Sequence, residues 1–404
     1  MIQPKTALFV VYLMGIALSA FGQDSPPTTI LIDGELLVKT KMRLKDNDSA
    51  LSSAERQLLV DAERALNQGP YSVTHKKKVA PSGDKHDYAS YGRYWWPDPN
   101  KPDGLPYLRR DGETNPDSQS PEKSDRPRIE RIGIDTETLG LAYYLTGEKK
   151  YADKAAELLR VWFLDPETRM NPNLNFAQGR PGHTDGSKSG VLDGRMMTRA
   201  LEGSLLIADS NSLTEAEREG LVAWAGEYYQ WLMTGKLAVQ EADSKNNHGS
   251  FFDAQAMYFA LYSGNKEGAT KIAQQVVEKR IVSQVRPDGS MPEELERTRP
   301  MFYSVYNLHA MLLLARLTEH VDVDVWNGGD SRLRAGLDYL APYADPNVPW
   351  PTPTIQEGER IKLFSILLMA DRGYPDGEYL EKVDSLPLSK RAPRRENLAF
   401  PLMR

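Results

Sequence analysis

Apolar residues recur every three or four positions through most of the chain, and that spacing predicts a helical protein. Residues 52–69 begin at a serine cap signal and stop at a glycine. Residues 134–165 read as two helices joined at TGEKK. Further helices are predicted over 194–210, 213–233, 249–264, 266–285, 300–320, 332–344 and 359–373. Strand signals are sparse, and TTILIDGELL (residues 28–37) is the best of them. The helices fall into hairpins of roughly fifty to sixty residues. Long polar loops separate them, residues 166–190 among them; in a compact domain such loops are more often functional than idle. The pattern predicts an all-α fold, an (α/α) toroid or barrel of helical hairpins with long loops forming a cleft at one end. A solenoid would need a fixed-period repeat, and none is seen.

The first 22 residues change the picture of the mature chain. Lys5, the apolar run ALFVVYLMGIALSA, and the small residues Ala20 and Gly22 make a secretory signal with cleavage after Gly22. The other reading, an uncleaved anchor, needs a longer apolar run to span a bilayer. Residues 23–404 are then a single domain, expected in the periplasm or secreted. The 404 residues contain no cysteine, which excludes disulfides, thiolate metal sites, cysteine nucleophiles and a lipoprotein anchor. A net charge of −6 argues against nucleic acid or an anionic membrane as partner. A polyanionic substrate requires a local basic cleft.

Three segments carry candidate chemistry. In DSKNNHGSFFDAQ, Asn246, Asn247 and His248 stand at the start of a predicted helix. Unpaired backbone N–H groups and the positive end of the helix dipole collect there. The asparagines therefore either cap the helix or join His248 in clamping an anion. In RPDGSMPEELERTRPMFY, residues 286–290 make a turn and Pro300 suits a first helical turn. Arg297, Arg299 and Tyr303 cluster at that second helix start. Cations are disfavoured there, so an anion is expected beside them: Glu293, Glu294 and Glu296, or a bound carboxylate. A guanidinium beside Tyr303 lowers its phenol pKa and suits it to act as a base.

The third segment, residues 86–116, sets Tyr88, Tyr91, Tyr94, Trp95, Trp96 and Tyr107 among Arg93, Arg109 and Arg110. Its Pro and Gly content predicts an ordered loop. Aromatic faces beside arginines suit a sugar ring and its carboxylate, but they also suit a segment that only covers the core. His75, His86, His309 and His320 are scattered, and His183 in the 166–190 loop is a further site candidate. No HExxH or close carboxylate set predicts a metal site. No phosphate loop, dinucleotide fingerprint or G-x-S-x-G elbow appears.

Together these segments resemble the alginate lyase superfamily of polysaccharide lyases. The likeness is to its secreted bacterial branch, which carries YxSxxxYWWPDP and GLPYxRRDGExNP near the N-terminus. Here the first motif comprises Tyr88, Ser90, Tyr94, Trp95, Trp96, Pro97 and Asp98, and the second runs to Asn115. NNHG (246–249) and ERTRPMFY complete the likeness, which extends from residue 87 to the C-terminal helices. The resemblance implies an (α/α) toroid that cleaves 1,4-linked uronate polymers by β-elimination without a cofactor. By matching position, Asn247 and His248 neutralise the substrate carboxylate. Tyr303 is the catalytic base and acid, supported by Arg297, with Arg299 as the competing arginine. Tyr88, Arg93, Tyr94, Trp95, Trp96, Arg109, Arg110, Asn246 and Arg299 are the expected substrate-binding set.

Two rival functions fit a helical toroid. A glycoside hydrolase would need two carboxylates flanking the bond, for which Asp253, Glu293 and Glu294 are candidates. A non-catalytic glycan-binding protein is the other. The basic residues Arg93, Arg109, Arg110, Arg297 and Arg299 are expected to gather in the cleft.

Overall fold

The predicted helices form with few exceptions in the computed structural model, which describes residues 26–356 and 358–400. The chain opens with α1 (Gly34–Lys45) and α2 (Ser52–Leu66). A loop layer follows, holding three short strands: β1 (Ala89–Tyr91), β2 (Trp95–Trp96) and β3 (Leu108–Arg109). Next come α3 (Arg126–Thr146), α4 (Lys149–Leu159), β4 (Phe176–Gly179) and α5 (Arg195–Leu206). The middle of the chain forms α6 (Glu215–Thr234), α7 (Lys236–Ala242), α8 (Asn247–Tyr262) and α9 (Lys266–Val276). After these stand α10 (Pro292–Leu295), α11 (Pro300–Thr318), α12 (Gly328–Leu340) and α13 (Leu363–Gly373). Three short helices close the chain: α14 (Glu378–Val383), α15 (Leu388–Arg391) and α16 (Glu396–Ala399).

The apolar pattern sorts the helices into two layers. Helices α8 and α11 are apolar nearly all round and bury most of their residues, so they belong inside. Helix α4 buries one stripe, Tyr151, Ala152, Ala155, Ala156, Leu158 and Leu159, and leaves the rest to solvent. Accordingly α3, α5, α8, α11 and α13 touch one another in turn, while α2, α4, α6, α9, α12 and α14 pack outside them. The result is an (α/α) toroid. Each inner helix reaches the next through an outer return, so the inner helices run in one direction and their N-termini share one end. At the α3–α5 contact the backbones nearly touch. A Cβ on Gly133 would lie 2.3 Å from the Met196 carbonyl oxygen, and one on Gly203 would lie 2.5 Å from that of Thr136.

The loop layer sits over the shared end. There β1 pairs with β4 in parallel and β2 with β3 antiparallel, Trp95 opposite Arg109 and Trp96 opposite Leu108. The strand expected over 28–37 does not form: residues 34–37 begin α1, capped by the Asp33 side chain. The N–H groups of Ile30, Leu31 and Ile32 instead donate to the buried carboxylate of Glu202 on α5. Burial raises the pKa of Glu202 to about 7, against the pull of those backbone donors. The signal-peptide expectation falls on residues outside those described. Among the described residues no helix is long and apolar enough to cross a membrane.

Candidate active site

The N-terminal turns of α3, α5, α8 and α11 line a cleft of about 550 Å³ beneath the loop layer. Four positive helix ends therefore face one space, which favours an anionic occupant. Arg93, Tyr94, Trp95, Arg109, Asn246, Asn247, His248, Arg297 and Tyr303 all line it.

Helix α8 begins as its sequence suggests. Asn246 is the N-cap, and its side chain accepts from the His248 N–H. The capping reading therefore describes Asn246, and the next two residues face the cleft. His248 is fixed through Nδ1, which bonds the buried carboxylate of Glu241 on α7. That leaves Nε2 for the cleft. Glu241 also accepts from Ser244, whose hydroxyl accepts from Lys188.

Asn247 departs from expectation. Both its backbone N–H (2.6 Å) and its Nδ2 (3.0 and 2.9 Å) donate to Glu294, a carboxylate with no exposed surface. An ionised carboxylate only accepts, so the amide hydrogens turn away from the cleft and Oδ1 is the atom left to it. Burial raises the pKa of Glu294 against the pull of these donors, Arg297 and His248.

Tyr303 lies in the first turn of α11, and its hydroxyl shares a 2.8 Å hydrogen bond with that of Tyr94 from the loop layer. The Arg297 guanidinium stacks 3.7 Å from the centre of the Tyr303 ring and pairs with Asp111 at 2.8 Å. Burial would raise Asp111, but Arg297 outweighs it and holds the carboxyl below its ordinary value. The expected lowering of the Tyr303 pKa is reversed. Burial and Tyr94 push the phenol well up, and Arg297 offsets only part of that rise. In the free protein Tyr303 is therefore a neutral phenol near neutral pH.

Five residues expected at the site lie elsewhere. Tyr88 is fully buried and donates to Asp193 at 2.9 Å, because side chains alternate along an extended segment and this one points inward. Trp96 and Arg110 are outside the cleft, the guanidinium 5.1 Å from the ring, since adjacent residues of β2 face opposite ways. Arg299 pairs with buried Glu359, so of these two arginines only Arg297 lines the cleft. His183 stands behind Trp95, 5.1 Å away edge to face.

The cleft also holds cations that sequence reasoning missed: Arg126, Arg180, Lys188 and Arg195. Arg126 is matched by Glu130 and Asp193. Among the described residues Arg93, Arg180, Lys188 and Arg195 make no ion pair; Arg180 stacks on Trp95 at 4.8 Å. Burial and Arg109 lower the Arg180 pKa. Of the hydrolase carboxylates, Asp253 is bound by Arg280 and Glu294 by Asn247; Glu293 lines the cleft. Among the described residues no group of three or more His, Asp or Glu is placed to hold a metal.

Comparison with known proteins agrees with this geometry. A family model described as alginate lyase matches residues 72–350. The chain is similar to an alginate lyase from Bacteroides ovatus at 36% identity over 93% of this chain and 100% of that one, with a TM-score of 0.87. It shares the fold of alginate lyase A1-III from Sphingomonas species A1, at 16% identity over 92% and 97% of the two chains, with a TM-score of 0.58. A variant of that enzyme complexed with a tetrasaccharide gives 16% identity, 95% and 98% coverage and a TM-score of 0.60. None of the curated proteins matches.

Proposed function

Because the chain belongs to the alginate lyase family and is a polysaccharide lyase, we propose that it cleaves 1,4-linked polyuronate, mannuronate-rich alginate or glucuronan, by β-elimination, with Tyr303 as base and acid. The observation that carries this reading is the Tyr303 hydroxyl, held by Tyr94 and backed by the Arg297 guanidinium in a cleft shared with His248.

The reaction removes H5, alpha to the C6 carboxylate, and expels O4. The carbanion at C5 spreads onto the carboxylate, which needs preorganised positive groups around it. Arg297 and His248 supply them. In mannuronate and glucuronate, H5 and O4 lie on one side of the ring. Tyr303 as phenolate takes H5, becomes the phenol, and returns that proton to O4 as the C4–C5 double bond forms. Protons balance, and the products are a 4,5-unsaturated uronate and a new reducing end. Arg297 stacked on the ring and the Tyr94 hydroxyl both stabilise the phenolate once it forms. In guluronate the two groups are on opposite sides, and His248, oriented by Glu241, takes the base role. Arg93, Arg180, Lys188 and Arg195, which make no ion pair among the described residues, hold carboxylates of flanking sugars.

The test follows absorbance of the unsaturated product while the protein meets polymannuronate, polyguluronate and glucuronan separately. A rise on at least one polymer, abolished in Tyr303→Phe, is expected; reducing ends without absorbance would mean hydrolysis instead. The first 22 residues support export, and N-terminal sequencing of the mature protein from a native host would find Gln23 first.

A further inference from the structure

Glu294 has no role in the elimination chemistry, yet it is buried at the back of the cleft with three hydrogen bonds from one residue. Two charged or titratable groups act on it, His248 from α8 and Arg297 from the turn before α11, with Asp111 beyond Arg297. While Glu294 is ionised, the Asn247 amide nitrogen is turned to its two oxygens and away from the cleft. The cleft then meets Oδ1, an acceptor, with a carboxylate behind it. A uronate carboxylate arriving there is opposed twice, by the carbonyl dipole and by the buried charge. One proton reverses both effects. A protonated Glu294 keeps one oxygen for the Asn247 backbone N–H and donates from the other to Oδ1, after a half-turn of the amide that puts NH₂ in the cleft.

We propose that Glu294 is a proton-coupled positioning residue: it takes up a proton from solvent as substrate binds and so turns Asn247 from an acceptor into a donor towards the substrate carboxylate. The inference rests on the lyase reading above. Burial outweighs the Asn247 donors, Arg297 and His248 and raises the Glu294 pKa, which makes the acid form accessible.

The consequence for the pH profile is specific. The competent free enzyme carries a proton on Glu294 and none on Tyr303. Between their two pKa values, kcat/KM is therefore level, because one group loses what the other gains. Glu294→Gln mimics the acid form: its Oε1 accepts the backbone N–H and its Nε2 donates to Oδ1. Only the Tyr303 ionisation then remains, and kcat/KM should climb tenfold per pH unit through neutral pH. A residue that merely holds the fold would not change that slope.

Binding gives a second readout. Calorimetry of Tyr303→Phe with saturated tetramannuronate, in buffers of different ionisation enthalpy, should show uptake of about one proton, lost when Glu294→Gln is added. If Glu294→Gln does not fold, infrared difference spectra of ¹³C-labelled Tyr303→Phe protein replace it. A new carboxylic-acid band that moves with the label is expected on binding. A level profile in Glu294→Gln, binding without proton uptake, or no such band overturns the proposal. Full activity in Tyr303→Phe would instead overturn the lyase chemistry beneath it.

Discussion

The toroid holds two chambers on the same inner helices, and they differ in how their charges are matched. The cleft encloses about 550 Å³ and a second chamber deeper along the axis about 520 Å³. Arg195 lines both, beside the rings of Phe251 and Tyr306 that lie 4.3 Å apart. In the deep chamber the arginines other than Arg195 have ionic partners. Arg199 and Arg395 both bind Glu137, and Arg394 binds Glu396 from the C-terminal segment. In the cleft, Arg93, Arg180 and Lys188 have no ionic partner among the described residues. Similar volume and similar residue types therefore serve opposite ends. Matched charges hold the deep chamber together, and unmatched ones leave the cleft ready for a polyanion.

The comparison breaks most visibly at Tyr303. Tyr303→Phe should cost about 10³-fold in kcat and lower stability by only about 1 kcal/mol, because it removes the proton carrier and a single hydrogen bond to Tyr94. Assay of unsaturated ends beside thermal unfolding checks this. At the deep chamber the effect should fall on stability. Glu137→Ala leaves Arg199 and Arg395 without their carboxylate and should cost about 3 to 5 kcal/mol in denaturant unfolding, while activity per folded molecule persists.

A third prediction uses pH. Burial, followed by Arg195, lowers the pKa of His309 in the deep chamber to about 4. The unfolded chain binds this proton more readily than the folded one, so stability rises with pH between about 4 and 6.5. At most about 3 kcal/mol comes from this group, and His309→Gln should flatten the rise in unfolding measurements across that window. The smallest effect is expected at Arg180, a partly desolvated cation with no ion pair among the described residues. Arg180→Ala should raise KM about tenfold, leave kcat within about twofold, and not lower stability.

Periodicity made the inner and outer helices legible, down to Asn246 at the start of α8 and Pro300 at the start of α11. What remained hidden depends on partners far away in the chain. Residues 28–37 look like a strand because their pattern says nothing of Glu202, 170 residues on, which takes the N–H of Ile32. Arg297 and Arg299 are equivalent in sequence, and Glu359 separates them by binding only the second. Tyr88 and Trp96 carry the residue types of a sugar site, but the facing of extended backbone turns them away from it. Glu241 gave no local signal, and Glu294 was legible only as an anion near the arginines, since the importance of both comes from what they hold.

The hydrogen bond between Tyr94 and Tyr303 spans 209 residues and ties the loop layer to the toroid. The helices can be complete while this clasp is still open. On refolding, circular dichroism should therefore recover before turnover does, and the lag between them times the docking of one loop. A protease cut within residues 97–104 would leave a barrel that melts almost as before but has lost its partner phenol. On that ordering, activity would gauge the docking of the loop layer rather than the formation of the helices.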